Sequence, residues 1–429
     1  MEMFISVAMS NHLSSLILIG TLTLSGLTAL AQGNAGAVVP GNYIVELRPG
    51  AGPAAVAARH GLAPTFVYGA AINGFAGFVP PGILRRLQAD PDVAAIVPDR
   101  EVAAIGKPTG GGTTTGEVLP AGVNRVTRGN AYDGTGIGIA IVDTGADLAN
   151  ADLNIAGTRF SAVSATAMDD NGHGTHVAGI AAAIRNSVGV VGVAPGATIY
   201  PVKVLDRSGS GTDSSIIAGL NWIVEQVNAG QKIKVANMSL GRPGTVGDNI
   251  TLQAAIQNVI KAGVVVVVSA GNDCGTTVAA TIPAAYPEVI AVGSTTAVQG
   301  KSGIKTFAGV TADTASYFTT DGLPGGRQVD VSAPGEDQED VSRAGFLTSV
   351  GILSLKPGGG TIRMSGTSMA SPHVAGIAAL IAGANPGATA SSLKSAVLGS
   401  VDGAGALPNS GVTDCYTFDE VREGIAVVP

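Results

Sequence analysis

Two rhythms of apolar and polar residues divide the chain. Between residues 42 and 102 the apolar stretches are short. Residues 43–47 (Tyr-Ile-Val-Glu-Leu) alternate as a strand, and 53–60 carry a helical period. Residues 66–72 and 74–79 read as strands, 83–88 as a second helix, and 93–97 as a closing strand. The order β-α-β-β-α-β predicts a small split βαβ domain over 40–106. The next segment, Lys-Pro-Thr-Gly-Gly-Gly-Thr-Thr-Thr-Gly over 107–116, has no apolar face and is expected to be a flexible linker, with the mature N-terminal region reaching 118.

From 119 to 429 the rhythm is longer. Largely apolar runs at 138–142, 197–204, 233–238, 264–268 and 289–292 alternate with helical patterns at 176–184, 214–227 and 252–261. Continuous apolar strands alternating with helices predict an α/β domain, its parallel sheet covered by helices on both faces. Active groups of such sheets gather beyond the carboxyl ends of the strands. A last apolar run, 374–382, reads as a buried helix behind Ser368.

A different kind of run occupies 13–31. It ends Ala29-Leu30-Ala31 before Gln32, a small-x-small ending that suggests a secretory signal over 1–31, although no Lys or Arg precedes Arg48. Its serines and threonines make it a poor anchor, so no stable membrane association is expected after cleavage and no later stretch is expected to span. Charged residues are only 13% of the chain and glycines number 62, a composition for tight packing of small side chains. The net charge of −7, without basic blocks, argues against nucleic acid as a partner.

Candidate chemistry lies at strand ends and helix starts. Asp143 directly follows the run Ile139-Ala-Ile-Val142; alone, it could simply cap a turn. His173 sits between glycines in Asn171-Gly-His-Gly-Thr-His176, where a helix begins. His176 and His373 suit core or supporting roles, because no H-E-x-x-H pattern or cysteine accompanies them. Ser368 opens the last apolar helix in Gly366-Thr-Ser-Met-Ala-Ser-Pro-His373. The unpaired N–H groups and positive dipole end there suit a reaction that develops a negative oxygen. Nucleotide-binding glycine motifs are absent from the sequence.

Taken in order, Val142-Asp-Thr-Gly145, His173-Gly-Thr-His-Val-Ala-Gly179 and Gly366-Thr-Ser-Met-Ala-Ser-Pro-His373 resemble the subtilases, the subtilisin-like serine proteases. In the small domain, Gly74-Phe-Ala-Gly-Phe78 and Asp90-Pro-Asp-Val93 resemble the inhibitory propeptides of that family. The resemblance runs from Tyr43 to about Gly387 and excludes an insert around 312–360.

The resemblance implies a secreted serine endopeptidase with Asp143, His173 and Ser368 as its triad and Asn272 as an oxyanion donor. Protein and peptide substrates would pair between Gly209-Ser210-Gly211 and Ser239-Leu240-Gly241. The pocket for the residue before the scissile bond would be lined by Ser239 to Gly241 and by Ser269, Ala270 and Gly271. That favours an apolar residue, whereas Asp273 beside it could favour a basic one. The small domain would be a folding aid and intramolecular inhibitor, its end (102–106) in the cleft, with a first cut between Ile105 and Gly116. A structural calcium is implied, held by Glu117, Asp152, the Asn186 side chain and the carbonyls of Ile184, Val188 and Val190. Export would favour a disulfide between Cys274 and Cys415. The enzyme is expected to be a monomer; a subtilase fold without activity, serving as a binding protein, is the alternative.

Overall fold

The structure, a computed structural model, describes residues 34–112, 116–128, 133–404 and 423–429. The expected signal segment lies outside them.

The small domain comprises β1 (Val38–Leu47), α1 (Pro53–Arg59), β2 (Phe66–Tyr68), β3 (Gly74–Phe78), α2 (Pro81–Gln88) and β4 (Val93–Ala104), in the expected order. Its antiparallel sheet runs β4-β1-β3-β2. One face buries Val45, Leu47, Val56, Phe75, Val79 and Leu87 as a separate core. The other face, through Ile44, Tyr68 and Ala76, joins the core of the large domain. One expectation changes here: β4 does not stop at Val97 but continues to Ala104.

A second correction concerns the linker. Residues Lys107–Gly112 form β5, paired antiparallel to a strand of the large domain. Backbone pairing at a sheet edge needs no apolar face, so the glycine-rich composition concealed it. Residues 113–115 of that segment lie outside the described residues.

The large domain begins with α3 (Ala121–Thr127), β6 (Gly138–Asp143), β7 (Phe160–Ser161), α4 (His173–Ala182), β8 (Thr198–Lys203), β9 (Ser210–Thr212) and α5 (Asp213–Asn228). It continues through β10 (Ile233–Met238), β11 (Leu240–Pro243), α6 (Ile250–Lys261), β12 (Val265–Ser269), β13 (Thr281–Ile282) and β14 (Ile290–Thr296). β15 (Val331–Val341), β16 (Leu347–Leu355), β17 (Thr361–Ser365), α7 (Thr367–Ala384), α8 (Ala390–Gly399), β18 (Val401–Ala404) and β19 (Gly424–Ala426) complete it. The central order is β5-β17-β16-β15-β14-β12-β10-β6-β8-β7. From β7 to β15 neighbouring strands are parallel. β16, β17 and β5 add antiparallel strands at the far edge.

The continuous apolar runs have a simple cause. On β12, Val265 and Val267 face the core that contains α4, α7 and α8, while Val266 and Val268 face the core that contains α5 and α6. Ile139 and Ile141 of β6 likewise point one way, Ala140 and Val142 the other. Each such valine contributes roughly 1.5–3 kcal/mol by burial, and with both faces covered the polar half of the alternation is lost. Helix α7 is long and apolar enough by composition to cross a membrane, but 83% of it is buried inside the protein, as a core helix.

Candidate active site

Strand β6 ends on Asp143, and α4 begins on His173. Nδ1 of His173 lies 2.8 and 3.0 Å from the two carboxylate oxygens of Asp143. Both residues are buried. Burial disfavours the imidazolium, but the Asp143 charge and hydrogen bond outweigh it and leave the His173 pKa raised. Nε2 of His173 has no hydrogen-bond partner among the described residues.

The start of α4 is held by a residue that sequence reasoning missed. Asp169 accepts hydrogen bonds from the N–H groups of Asn171, Gly172 and Thr175 and from the hydroxyls of Thr144 and Thr175. The Thr144 hydroxyl in turn accepts from Gly174 N–H at 2.8 Å. These bonds tie the His173 turn to the end of β6. Buried Lys203 adds another tie, donating to the Thr144 carbonyl and to Asp170, each at 2.6 Å.

Ser368 sits in the first turn of α7, immediately after β17. Its hydroxyl donates to the Ser239 carbonyl at 3.1 Å rather than to His173. Asn237, Ser239 and Ser371 brace this turn: Ser239 Oγ donates to the Ser368 carbonyl at 2.8 Å, and Ser371 Oγ donates to Asn237 Oδ1 at 2.7 Å. Asn272 faces them. Its Oδ1 accepts from the Thr367 N–H (2.8 Å) and hydroxyl (2.9 Å), which fixes the amide so that Nδ2 points into the cleft.

That Nδ2 donates to the carbonyl oxygen of Ile105 at 3.1 Å. Ahead of Ile105, β4 lies between the two segments expected to grip a substrate. Val102 pairs with Gly211 and Ala103 with Ser210 of β9, while Ala103 pairs with Gly241 and Ala104 with Leu240 of β11. Ala104 N–H donates to the Gly209 carbonyl at 2.9 Å, and Ile105 N–H to the Ser239 carbonyl at 3.3 Å. Ile105 is buried, its Cδ1 close to Gly241. The next residue, Gly106, packs on the imidazole so closely that a Cβ there would lie 2.7 Å from His173 Nε2. Ala270 and Ser269 are buried beside the cleft, and Gly271 N–H donates to Thr367 Oγ1. Asp273 is exposed and caps its own turn, accepting from Gly275 N–H and the Thr276 hydroxyl.

The small domain also grips the helices beside the cleft. Asp99 accepts from Ser214 N–H (3.0 Å) and Ser214 Oγ (2.6 Å) at the start of α5, and burial raises its carboxyl pKa. Asn221 Oδ1 accepts from the N–H groups of Gly69, Ala70 and Ala71. A buried Arg242–Asp213 ion pair at 2.7 Å ties β11 to α5, setting the cleft's two walls relative to each other.

Away from the cleft, the three segments expected to share a cation converge. Glu117 Oε1 accepts from the N–H groups of Asn186 (2.6 Å) and Ser187 (2.8 Å). Asp152 accepts from Asn186 Nδ2 (2.9 Å) and Val190 N–H (3.1 Å). Burial pushes the Asp152 carboxyl up to about 6, and the nearby Glu117 carboxylate adds to the rise. Ile184 N–H donates to the Asp152 carbonyl, and exposed Val188 lies on the same loop. No group of three or more acidic, histidine or cysteine side chains that could hold a metal occurs among the described residues. Any cation here would therefore lean on backbone carbonyls. His176 and His373 are core histidines: burial lowers them to about 3 and about 4, and their ring nitrogens face the carbonyls of Ile352 and Met369. Cys274 is disulfide-bonded; its expected partner, Cys415, lies outside the described residues.

Residues 134–413 match the family model of the subtilase family. M-protease of Shouchella clausii is 36% identical over 306 residues, which cover 70% of this chain and 66% of that protein. Subtilisin NAT of Bacillus subtilis subsp. natto is 34% identical over 323 residues, 73% of this chain and 72% of that protein. Among solved structures, a cold adapted subtilisin-like serine proteinase superposes with a TM-score of 0.52 at 28% identity, covering 72% of this chain and 98% of that one.

Proposed function

The chain belongs to the subtilase family, and on that premise we propose that it is a serine endopeptidase made as a self-processing precursor, with Asp143, His173 and Ser368 as its triad. The observation that carries this reading is the path of residues 102–106. A peptide strand runs between two edge strands, its Ile105 carbonyl meets the Asn272 amide, and the following residue touches His173. This path supports reading the bond after Ile105 as the one the enzyme cuts in its own precursor.

In the reaction, the Ser368 hydroxyl turns from the Ser239 carbonyl towards His173 and attacks the substrate carbonyl. His173 Nε2 accepts the proton and later gives it to the leaving amine. Asp143 holds the imidazole with Nδ1–H towards itself and stabilises the imidazolium. Asn272 Nδ2 and the Ser368 N–H, at the positive end of α7, stabilise the oxyanion. Water then hydrolyses the acyl-enzyme. An uncharged, apolar residue like Ile105 is favoured before the bond, and specificity is otherwise broad because the neighbouring contacts are backbone pairing.

Several finer features belong to the same proposal. The segment 1–31 directs export, and the processed enzyme acts as an extracellular monomer on proteins and peptides. The small domain is its folding aid and inhibitor, and Cys274 pairs with Cys415. A calcium ion is held by Glu117, Asp152, Asn186 and the carbonyls of Ile184, Val188 and Val190, where it supplies structural cross-linking rather than chemistry.

Labelling by a serine-directed phosphonate tests the central reading. The wild-type chain after processing should be labelled on Ser368, and Ser368→Ala should be neither labelled nor processed. An unlabelled, peptidase-inactive wild type would instead leave a binding protein on a subtilase fold.

A further inference from the structure

β17 is the strand that leads directly into the Ser368 turn, and among the described residues only β5 covers its outer edge. β5 begins at Lys107, one residue beyond Gly106 and two beyond the carbonyl held by Asn272. The chain therefore runs from one grip into another. Up to Ala104 it pairs with β9 and β11; from Lys107 it pairs antiparallel with β17, Lys107 opposite Ser365, Pro108 opposite Met364 and Gly112 opposite Thr361. A one-residue bulge falls at Thr109, whose hydroxyl accepts from Gly351 N–H at 3.0 Å. β5 itself is largely exposed, so the pairing is made by backbone groups rather than by buried side chains.

We propose that the outer edge of β17 is an extended binding strand for substrate residues on the leaving-group side of the scissile bond, which it takes as an added antiparallel strand as long as β5. This rests on the peptidase reading above. Backbone pairing with an exposed sheet edge is a general mode of peptide recognition that gives affinity with little sequence demand. The demand it does make falls at its ends. A Cβ on Gly112 would lie 2.4 Å from Leu353 Cδ1 and 2.7 Å from Thr361 Oγ1, so the seventh residue past the bond is restricted to glycine unless those side chains give way. Substrates with long extended segments after the bond are thus preferred over short ones. The same edge is occupied after the first cut by the enzyme's own new N-terminal strand, which substrates must displace.

The test uses peptides that share Val-Ala-Ala-Ile before the bond and continue Gly-Lys-Pro-Thr-Gly-Gly-Gly after it, ending two, four or seven residues past the bond. A Val-Ala-Ala-Ile anilide, with no amino acid past the bond, reports the peptidase reading separately. Both wild type and Gly112→Val are used after their own processing; the variant's added side chain crowds Leu353 and Thr361, which weakens the strand's hold on the edge. Because the longer peptides add backbone hydrogen bonds to the edge, kcat/KM should rise about tenfold or more from the shortest to the longest peptide. The gain should be larger for Gly112→Val, and it should fall when the last glycine of the peptide is replaced by valine. A length gain in either enzyme that valine reduces supports the strand. Equal kcat/KM for all lengths in both enzymes, with the anilide cleaved, overturns it and leaves the peptidase reading intact. An uncleaved anilide and uncleaved peptides would refute the peptidase reading and the strand together.

Discussion

The side-chain amide of Asn272 donates to the carbonyl oxygen of Ile105 at 3.1 Å, and the neighbouring Gly106 lies against His173 Nε2. Among the described residues from Ile105 to Gly116, only Ile105 has its carbonyl at the oxyanion donor. The first cut is therefore expected between Ile105 and Gly106. Sequencing of the processed enzyme should begin Gly-Lys-Pro-Thr-Gly, and a first product starting anywhere within 107–116 would contradict the assignment. Gly106→Ala should slow this cut, because the added methyl presses on the imidazole.

Replacing Asn272 by alanine should lower kcat by about 10²–10³ with little change in KM, since one oxyanion donor counts mainly in the transition state. Thr367 fixes the amide through both its N–H and its hydroxyl. Thr367→Val should accordingly reproduce part of the loss. Equal damage to binding and turnover in Asn272→Ala would count against the role.

The pH profile follows from His173. Only the neutral imidazole can accept the serine proton, and Asp143 holds the His173 pKa above the ordinary histidine value. Activity should therefore fall on acidification sooner than an ordinary histidine would dictate. Asp143→Asn removes the raising partner and leaves burial to dominate. Its acid limb should shift to lower pH while kcat drops by about 10⁴. A limb that stays in place in Asp143→Asn would separate the limb from His173.

The parts legible in the sequence were those with a side-chain signature. Alternating cores on β6 and β12 wrote continuous apolar runs, and glycine-flanked His173 and Ser368 stood at the starts of long helical patterns. What escaped was held by backbone pairing or by turns. Beyond Val97 the apolar run ends, yet the strand continues, because β1 pairs with Pro98 and Arg100 and because β9 and β11 supply residues 101–104 with partners from another domain. Lys107–Gly112 is a strand for the same reason. Asp169, in Asp169-Asp-Asn-Gly172, reads as an ordinary turn; its five hydrogen bonds become visible only when α4 and β6 meet.

The small domain's hold on the enzyme should weaken when Asp99 is changed. Its carboxylate meets both the N–H and the hydroxyl of Ser214 in the first turn of α5, where helix N–H groups lack internal partners. Loss of such a cap costs about 1 kcal/mol. Asp99→Ala should therefore release the cut domain about fivefold faster. The interval between the first cut, seen on a gel, and the appearance of anilide hydrolysis measures this, and an unchanged interval would reject it.

The last expectation concerns calcium. Glu117 and Asp152 come from segments far apart in sequence and meet on the 184–190 loop, where the Glu117 carboxylate accepts two N–H groups of that loop. Val118 extends the contact, pairing with Val190 as an isolated bridge. Two carboxylates brought together in a partly buried place repel each other, and a divalent cation with a taste for carboxylate and carbonyl oxygen relieves that cost. Because the oxygens converge only in the folded chain, such an ion would stabilise the native state by mass action, about 2.7 kcal/mol at a hundredfold excess over Kd. The active-site-blocked enzyme should thus melt at higher temperature in millimolar calcium than in EDTA. Asp152→Asn should lose most of that difference. Chelation should also expose the segment around Glu117 to proteolysis before the rest of the domain, since the ion would add to the two Glu117 hydrogen bonds and the Val118 bridge that tie it to the loop. Identical midpoints with and without calcium, and no calcium by elemental analysis, would mean that the loop is held by its hydrogen bonds alone.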